Sequence, residues 1–223
     1  MSYRGIIFDF NGVILWDTPW HKQAWFLLSK ELRGTSFTEE EWLVLIGRNN
    51  SDILQYIFGN PITTEQATYL GLRKEELYRS IAKSHPNDLR LSSGAEELFG
   101  WLCGNNIPHT IATSSEITNL EFYLETFDLK QWFDRSIIIY DDGAVPCKPN
   151  PELYLRAAVA IGLQPSECVI VEDSASGIKA AHSANAGKII ALGPREEHAR
   201  LRTIEGVNQV VCSLAQISHD DFA

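Results

Sequence analysis

The chain is short of positive charge: 19 lysines and arginines face 29 aspartates and glutamates, a formal net charge of −10. A nucleic-acid backbone or an anionic membrane calls for a basic surface, so neither is the expected partner. A small anionic ligand stays admissible, because one local cation overrides a global field. No apolar run is long enough to span a bilayer, and the opening MSYRGIIFDF lacks the basic, apolar, small-residue order of an export signal. The expected location is the cytoplasm. The four cysteines (Cys103, Cys147, Cys168 and Cys212) lie far apart without a C-x-x-C spacing, and are expected as buried thiols in a reducing compartment. Six histidines are scattered with no pair at ligand spacing, which argues against a zinc site. Internal repeats and low-complexity segments are absent.

What is there is a soluble composition, 44% hydrophobic and 22% charged, over 223 residues. That length suits one large domain, or a main domain with an insert. Short apolar strand candidates recur: GIIFDF (5–10), HTIATS (109–114), SIIIYD (136–141), CVIVED (168–173), KIIALG (188–193) and NQVVC (208–212). Helix-period stretches separate most of them. The alternation predicts an α/β fold: a doubly wound, mostly parallel sheet covered on both faces, with ligands at the carboxyl ends of its strands. From about Trp16 to Pro86 the alternation stops and only helical patterns appear. Residues 16–86 therefore read as an inserted α-helical cap, and 1–15 with 87–223 as the core domain.

Four strand ends or adjoining loops carry polar groups. The first strand ends at Asp9, followed by Asn11 and a turn glycine, Gly12. The second ends at Thr113-Ser114-Ser115. Lys148 stands in CKPNPE, ahead of a helix that Pro149 or Pro151 can start. The strand CVIVED ends in Glu172-Asp173. In a parallel sheet these ends share one edge. A carboxylate can attack phosphorus, an acidic pair can bind Mg²⁺ through hard oxygen ligands, and a hydroxyl and a lysine can hold phosphoryl oxygens. Each signal alone reads as a turn, a helix cap, a loop or a solvated strand exit. Their joint order favours phosphoryl chemistry.

In that order the chain resembles the haloacid dehalogenase-like (HAD) superfamily, in the branch of β-phosphoglucomutase and phosphoglycolate-phosphatase-like enzymes. FDFNGV resembles the first motif, normally D-x-D-G-T/V. IATSS resembles the second, CKPNPELY the third and VIVEDSASGI the fourth. The resemblance implies an aspartyl-phosphate nucleophile at Asp9. It implies an Mg²⁺ site at Asp9, the Asn11 carbonyl, Glu172 and Asp173, directly or through water. It implies phosphate contacts from Thr113, the Ser114 N–H and Lys148, and it sets His21 near a cap-hinge histidine of some mutases. The implied activity is a phosphatase acting on a small phosphorylated metabolite, with no protein partner.

Asn11 departs from the pattern. Relatives with aspartate there use it as general acid and base, and an amide cannot move a proton near neutral pH. Such assistance is typically worth about 10²–10⁴ in rate, so the expectation is a phosphatase slow on alkyl phosphates. Asp17 and His21 are candidate substitutes, although Asp17 also reads as the cap of the following helix. Good leaving groups, such as acyl phosphates or pyrophosphate, would relieve the need. The alternatives left open are a catalytically impaired metabolite sensor and an engineered aspartate-to-asparagine trap. A sugar phosphomutase ranks lower, since Glu116 stands where a mutase-like lysine would contact phosphate. In the cap, Arg48, Asn49 and Asn50 can face a substrate, with a solvated Arg48 equally compatible. Trp16, Trp20, Trp25 and Trp42 read as packing rather than as a sugar platform.

Overall fold

A computed structural model describes residues 2–45, 50–144 and 146–222, and of Leu43 only the backbone. Arg48 and Asn49 lie outside the described residues. Contacts divide the chain into two compact units, Met1–Trp16 with Arg90–Ala223, and Asp17–Leu89.

The first unit is built on six parallel strands. They are β1 (Gly5–Phe8), β2 (His109–Glu116), β3 (Ile139–Asp141), β4 (Cys168–Glu172), β5 (Lys188–Leu192) and β6 (Gln209–Val211), in the order β3-β2-β1-β4-β5-β6. This is the doubly wound order, and its direction of winding reverses between β1 and β4. β1 and β4 are buried along their whole length. Their near-continuous apolar runs are what a central strand covered on both faces requires. Ile7 of β1 and Ile170 of β4, paired in register, share one cluster with Ala112, Tyr154, Ala157 and Ile178. Phe8 turns the other way and meets the edge of Phe99, at a centroid distance of 5.3 Å, and of Phe133, at 6.3 Å.

The strand expected over 136–141 is shorter than its apolar run. Asp134 Oδ1 accepts both the backbone N–H of Ser136 (2.9 Å) and its hydroxyl (2.8 Å). That capture folds Arg135–Ile137 into a 3₁₀ turn, and pairing is left to the last three residues. The thiols also correct the expectation of burial. Cys168, on central β4, is buried, whereas Cys103 and Cys147 are exposed and Cys212 is intermediate. Only the first sits in a strand covered on both faces.

The second unit contains α1 (Thr18–Arg33), α2 (Glu39–Leu45), α3 (Asn50–Phe58) and α4 (Thr64–Ser84). α1 carries Pro19 in its first turn and stops at Gly34, whose φ of +78° and N–H to the Lys30 carbonyl make a left-handed terminus. α4 begins in a capping box, with Gln66 N–H on the Thr63 hydroxyl and Thr63 N–H on the Gln66 amide oxygen. Trp25, Leu28, Phe37, Trp42, Ile53, Leu54 and Leu70 form its core. Trp20, Trp25 and Trp42 are buried as packing residues, while Trp16, in the first unit, is 45% exposed. No described helix is long and apolar enough to cross a membrane. The remaining helices belong to the first unit: α5 (Ala95–Gly104), α6 (Ile117–Thr126), α7 (Glu152–Ala160), α8 (Ala175–Ser183) and α9 (His198–Leu201).

Candidate active site

β1 carries Asp9 to the carboxyl edge of the sheet. One residue past the strand, its N–H still donates to the Val171 carbonyl of β4 at 3.0 Å, and the residue is buried. The chain then turns at Gly12, whose φ is +82°. A Cβ on Gly12 would stand 2.1 Å from Asp173 Oδ2. Glycine is thus needed twice, for the left-handed turn and for the approach of Asp173. β4 ends at Glu172, so Asp9 and the acidic pair flank the point where the winding reverses.

Lys148 comes from the loop between β3 and α7. Its Nζ donates to Asp9 Oδ1 and to Glu172 Oε1, each at 2.6 Å. Glu172 Oε2 accepts the N–H of Asp173 (2.8 Å), the N–H of Ser174 (2.9 Å) and the Ser174 hydroxyl (3.0 Å). Ser174 also caps α8 by accepting the Gly177 N–H at 3.0 Å. Gly177 is required by contact: a Cβ there would lie 1.6 Å from Glu172 Oε1. The start of α8 therefore closes directly over this carboxylate, where the helix dipole favours negative charge.

Thr113, fully buried in the carboxyl-terminal half of β2, accepts the Ser115 N–H at 3.1 Å, and its hydroxyl lies 3.5 Å from Asn11 Oδ1. Ser115 donates to the same Oδ1 at 2.7 Å, and Asn11 Nδ2 donates to the Tyr123 hydroxyl at 2.8 Å. Tyr123 is itself fixed, stacked on Phe10 with centroids 4.0 Å apart. Both ends of the Asn11 amide are thus engaged. Ser114 is exposed at the same strand end.

Ligand atoms of Asp9, Glu172 and Asp173 lie within 4.8 Å of one another, the one such three-residue group among the described residues. Three carboxylates share a single lysine, and their protonation records the imbalance. Burial raises the Asp9 carboxyl to about 7, with Glu172 adding to the shift and Lys148 opposing it. Burial, then the charges of Glu172 and Asp9, hold Asp173 well above the usual carboxylate range. Burial also acts against Glu172, but the charge and hydrogen bond of Lys148, the Ser174 N–H and the Tyr154 hydroxyl outweigh it, and Glu172 lies below its ordinary value. Lys148 is desolvated too, yet the charges of Asp9 and Glu172 keep it protonated. Burial and then Glu172 raise Tyr154, so its hydroxyl keeps its proton. The donor set is all oxygen and under-neutralised, with Asp9 and Glu172 buried and Asp173 partly exposed. It fits a hard divalent cation.

Of the residues singled out from sequence, the first unit brings together Asp9, Asn11, Thr113, Lys148, Glu172 and Asp173, with Ser114 at the rim. His21 and Asp17 belong to the second unit. Asp17 occupies the position before α1, but its side chain makes no capping hydrogen bond. It is fully buried and accepts the Tyr78 hydroxyl at 2.5 Å. His21 stacks on Tyr78 with centroids 3.8 Å apart, and its Nδ1 stands 2.7 Å from Lys74 Nζ. Asn50 donates to Glu75 within the same unit. Sequence reasoning missed Tyr154 and Tyr123 and gave Ser115 no role. Ser115 stood in the TSS stretch and Tyr154 closed the CKPNPELY stretch, but nothing local marks either tyrosine as a partner of the site. Tyr123 meets Asn11 across 112 positions, which no local pattern encodes.

The chain belongs to the haloacid dehalogenase-like hydrolases: the profile of that family matches residues 3–185. Its fold is shared closely with a HAD hydrolase of family IA, variant 3, from Entamoeba histolytica. That structure superposes with a TM-score of 0.92 at 35% identity, over 99% of this chain and 97% of the other. A β-phosphoglucomutase from Clostridium difficile superposes with a TM-score of 0.79 at 28% identity, over 98% and 94%. Among sequences, the fructose-1-phosphate phosphatase YqaB of Escherichia coli is 30% identical over 185 residues, 82% of this chain and 93% of the other.

Proposed function

We propose that the protein is an Mg²⁺-dependent phosphatase that cleaves a small phosphorylated metabolite through an aspartyl phosphate at Asp9. One observation carries the reading. Asp9, Lys148, Thr113 and the Glu172-Asp173 pair meet at the carboxyl edge where β1 and β4 part, the place at which doubly wound sheets bind ligands. The relatedness to a sugar-phosphate phosphatase, YqaB, supports the substrate class.

In the first step an Asp9 carboxylate oxygen attacks phosphorus, and the bond between phosphorus and the leaving oxygen breaks. The departing oxygen takes its proton from solvent, since Asn11 has none to give. In the second step water attacks the phosphorus of the aspartyl phosphate, releases inorganic phosphate and restores Asp9. Lys148, with two of its three N–H donors on Asp9 and Glu172, offers the third to a phosphoryl oxygen. Thr113 and the Ser114 N–H hold the remaining oxygens. Asp9, the Asn11 carbonyl, Glu172 and Asp173 would hold an Mg²⁺ ion, directly or through water, and the ion would supply neutralisation of phosphoryl charge. His21 and Arg48, of the residues 17–89, are assigned to substrate recognition, where the guanidinium of Arg48 suits a carboxylate or second phosphate.

The engaged amide of Asn11 favours a second reading, a sensor that binds a phosphorylated metabolite without turning it over. Phosphate release from acetyl phosphate, p-nitrophenyl phosphate and hexose phosphates separates the two. The phosphatase reading expects Mg²⁺-dependent release, abolished by chelation and by Asp9→Asn. Binding of these compounds without release supports the sensor instead.

A further inference from the structure

We propose that Tyr154 is a positioning residue of this site, holding Glu172 as the anchor of Lys148 rather than as a direct ligand of the metal. The inference rests on the reading above and refines it. Tyr154 lies on α7, six residues after Lys148, and is fully buried. Its ring belongs to the apolar cluster of Ile7, Ile170 and Ile178, and the Lys148 ammonium stands 5.1 Å from the ring centroid. Its hydroxyl donates to Glu172 Oε1 at 2.8 Å, the oxygen that also accepts Lys148 at 2.6 Å. The other oxygen takes the Asp173 N–H, the Ser174 N–H and the Ser174 hydroxyl.

Glu172 thus receives five donors, while an ionised carboxylate offers about four lone-pair sites. Nothing remains on it for a cation. Lys148 occupies only Oδ1 of Asp9, so Asp9 through its other oxygen, Asp173 and the Asn11 carbonyl are the groups left to ligate. Glu172 contributes by fixing the lysine. Tyr154 restrains it on two sides, through the shared oxygen and through the face of its ring. The ammonium then has one defined direction for its third proton, toward the phosphoryl group. A tyrosine serving only the core would need no such partner, since phenylalanine fills the same volume.

Tyr154→Phe keeps the ring and removes the hydroxyl. The test measures Mn²⁺ affinity by titration, inorganic phosphate affinity in the presence of Mg²⁺, and kcat on p-nitrophenyl phosphate. Expected are a loss of about 10–100-fold in phosphate affinity or kcat and an unchanged Mn²⁺ affinity, as befits a partner behind the reacting groups. In a Lys148→Met background the same substitution should add nothing, because its effect passes through that lysine. Glu172→Gln, with folding verified by circular dichroism, should retain Mn²⁺ binding. Abolished Mn²⁺ binding in folded Glu172→Gln would overturn the proposal, as would a Tyr154→Phe effect confined to thermal stability. Phosphate and Mn²⁺ affinities remain readable without turnover. A parent that binds both and hydrolyses nothing therefore refutes the phosphatase reading, and the affinities of the Tyr154 and Glu172 variants still decide this one.

Discussion

Replacing Asn11 by aspartate should restore proton transfer, and the size of the gain should depend on the leaving group. The site accommodates the change. Ser115 would go on donating to Oδ1, and the Tyr123 hydroxyl, which now accepts from Nδ2, can rotate and donate to a carboxylate oxygen. General acid–base assistance is worth about 10²–10⁴ in rate, or about 3–5 kcal/mol of barrier. A hexose phosphate, whose leaving alkoxide needs a proton, should gain that much in kcat/KM. Acetyl phosphate, whose leaving carboxylate is already stable, should gain less than about tenfold on the same argument. The variant also adds a fourth carboxylate beside Asp9, Glu172 and Asp173, so its metal-free form should be less stable than the parent and more strongly rescued by Mg²⁺. The assay is kcat/KM across phosphate esters of graded leaving-group pKa. Equal gains on acetyl phosphate and hexose phosphates, or no gain on either with Mg²⁺ bound, would refute the reasoning, because neither pattern can arise from restored proton transfer.

Two further outcomes follow from the same geometry. Gly12→Ala should abolish Mn²⁺ binding in titration, because its Cβ meets Asp173 Oδ2 at 2.1 Å and the residue sits at φ +82°; the backbone strain alone costs about 1–2 kcal/mol. In the metal-free protein, Asp9 is raised to about 7 from 3.8, so the folded state binds more protons than the unfolded one between those values. The stability this group contributes is complete below about 3.8 and fades as the pH rises through about 7. Mg²⁺ binds the ionised carboxylates, so the rise in Tm it produces should be larger at about pH 8 than at about pH 5.5, with protons released on binding. A Tm shift independent of pH, measured by scanning fluorimetry, contradicts the protonation state assigned to Asp9.

The sequence by itself determined the α/β class and the six strands, because apolar runs such as GIIF and CVIVE are too continuous for anything but strands covered on both faces. It also determined which polar groups meet at one edge, since parallel strands all end on the same side and Asp9, Thr113 and Glu172-Asp173 each stand at such an end. Some local punctuation was legible as well: Gly12 reads as the turn that takes the chain off the first strand. What only the tertiary structure decided are contacts between elements far apart in the chain. Tyr123 holds Asn11 across 112 residues, and Tyr154 reaches Glu172 across 18. Asp17 looked like a helix cap until folding supplied the Tyr78 hydroxyl, 61 residues away. The shortened β3 was lost to a side-chain capture at Asp134 that its apolar pattern does not record. Periodicity reports which face of an element is buried. Which hydroxyl, amide or ammonium lies against that face is fixed by packing, where a buried polar group must find a partner or pay its full desolvation cost.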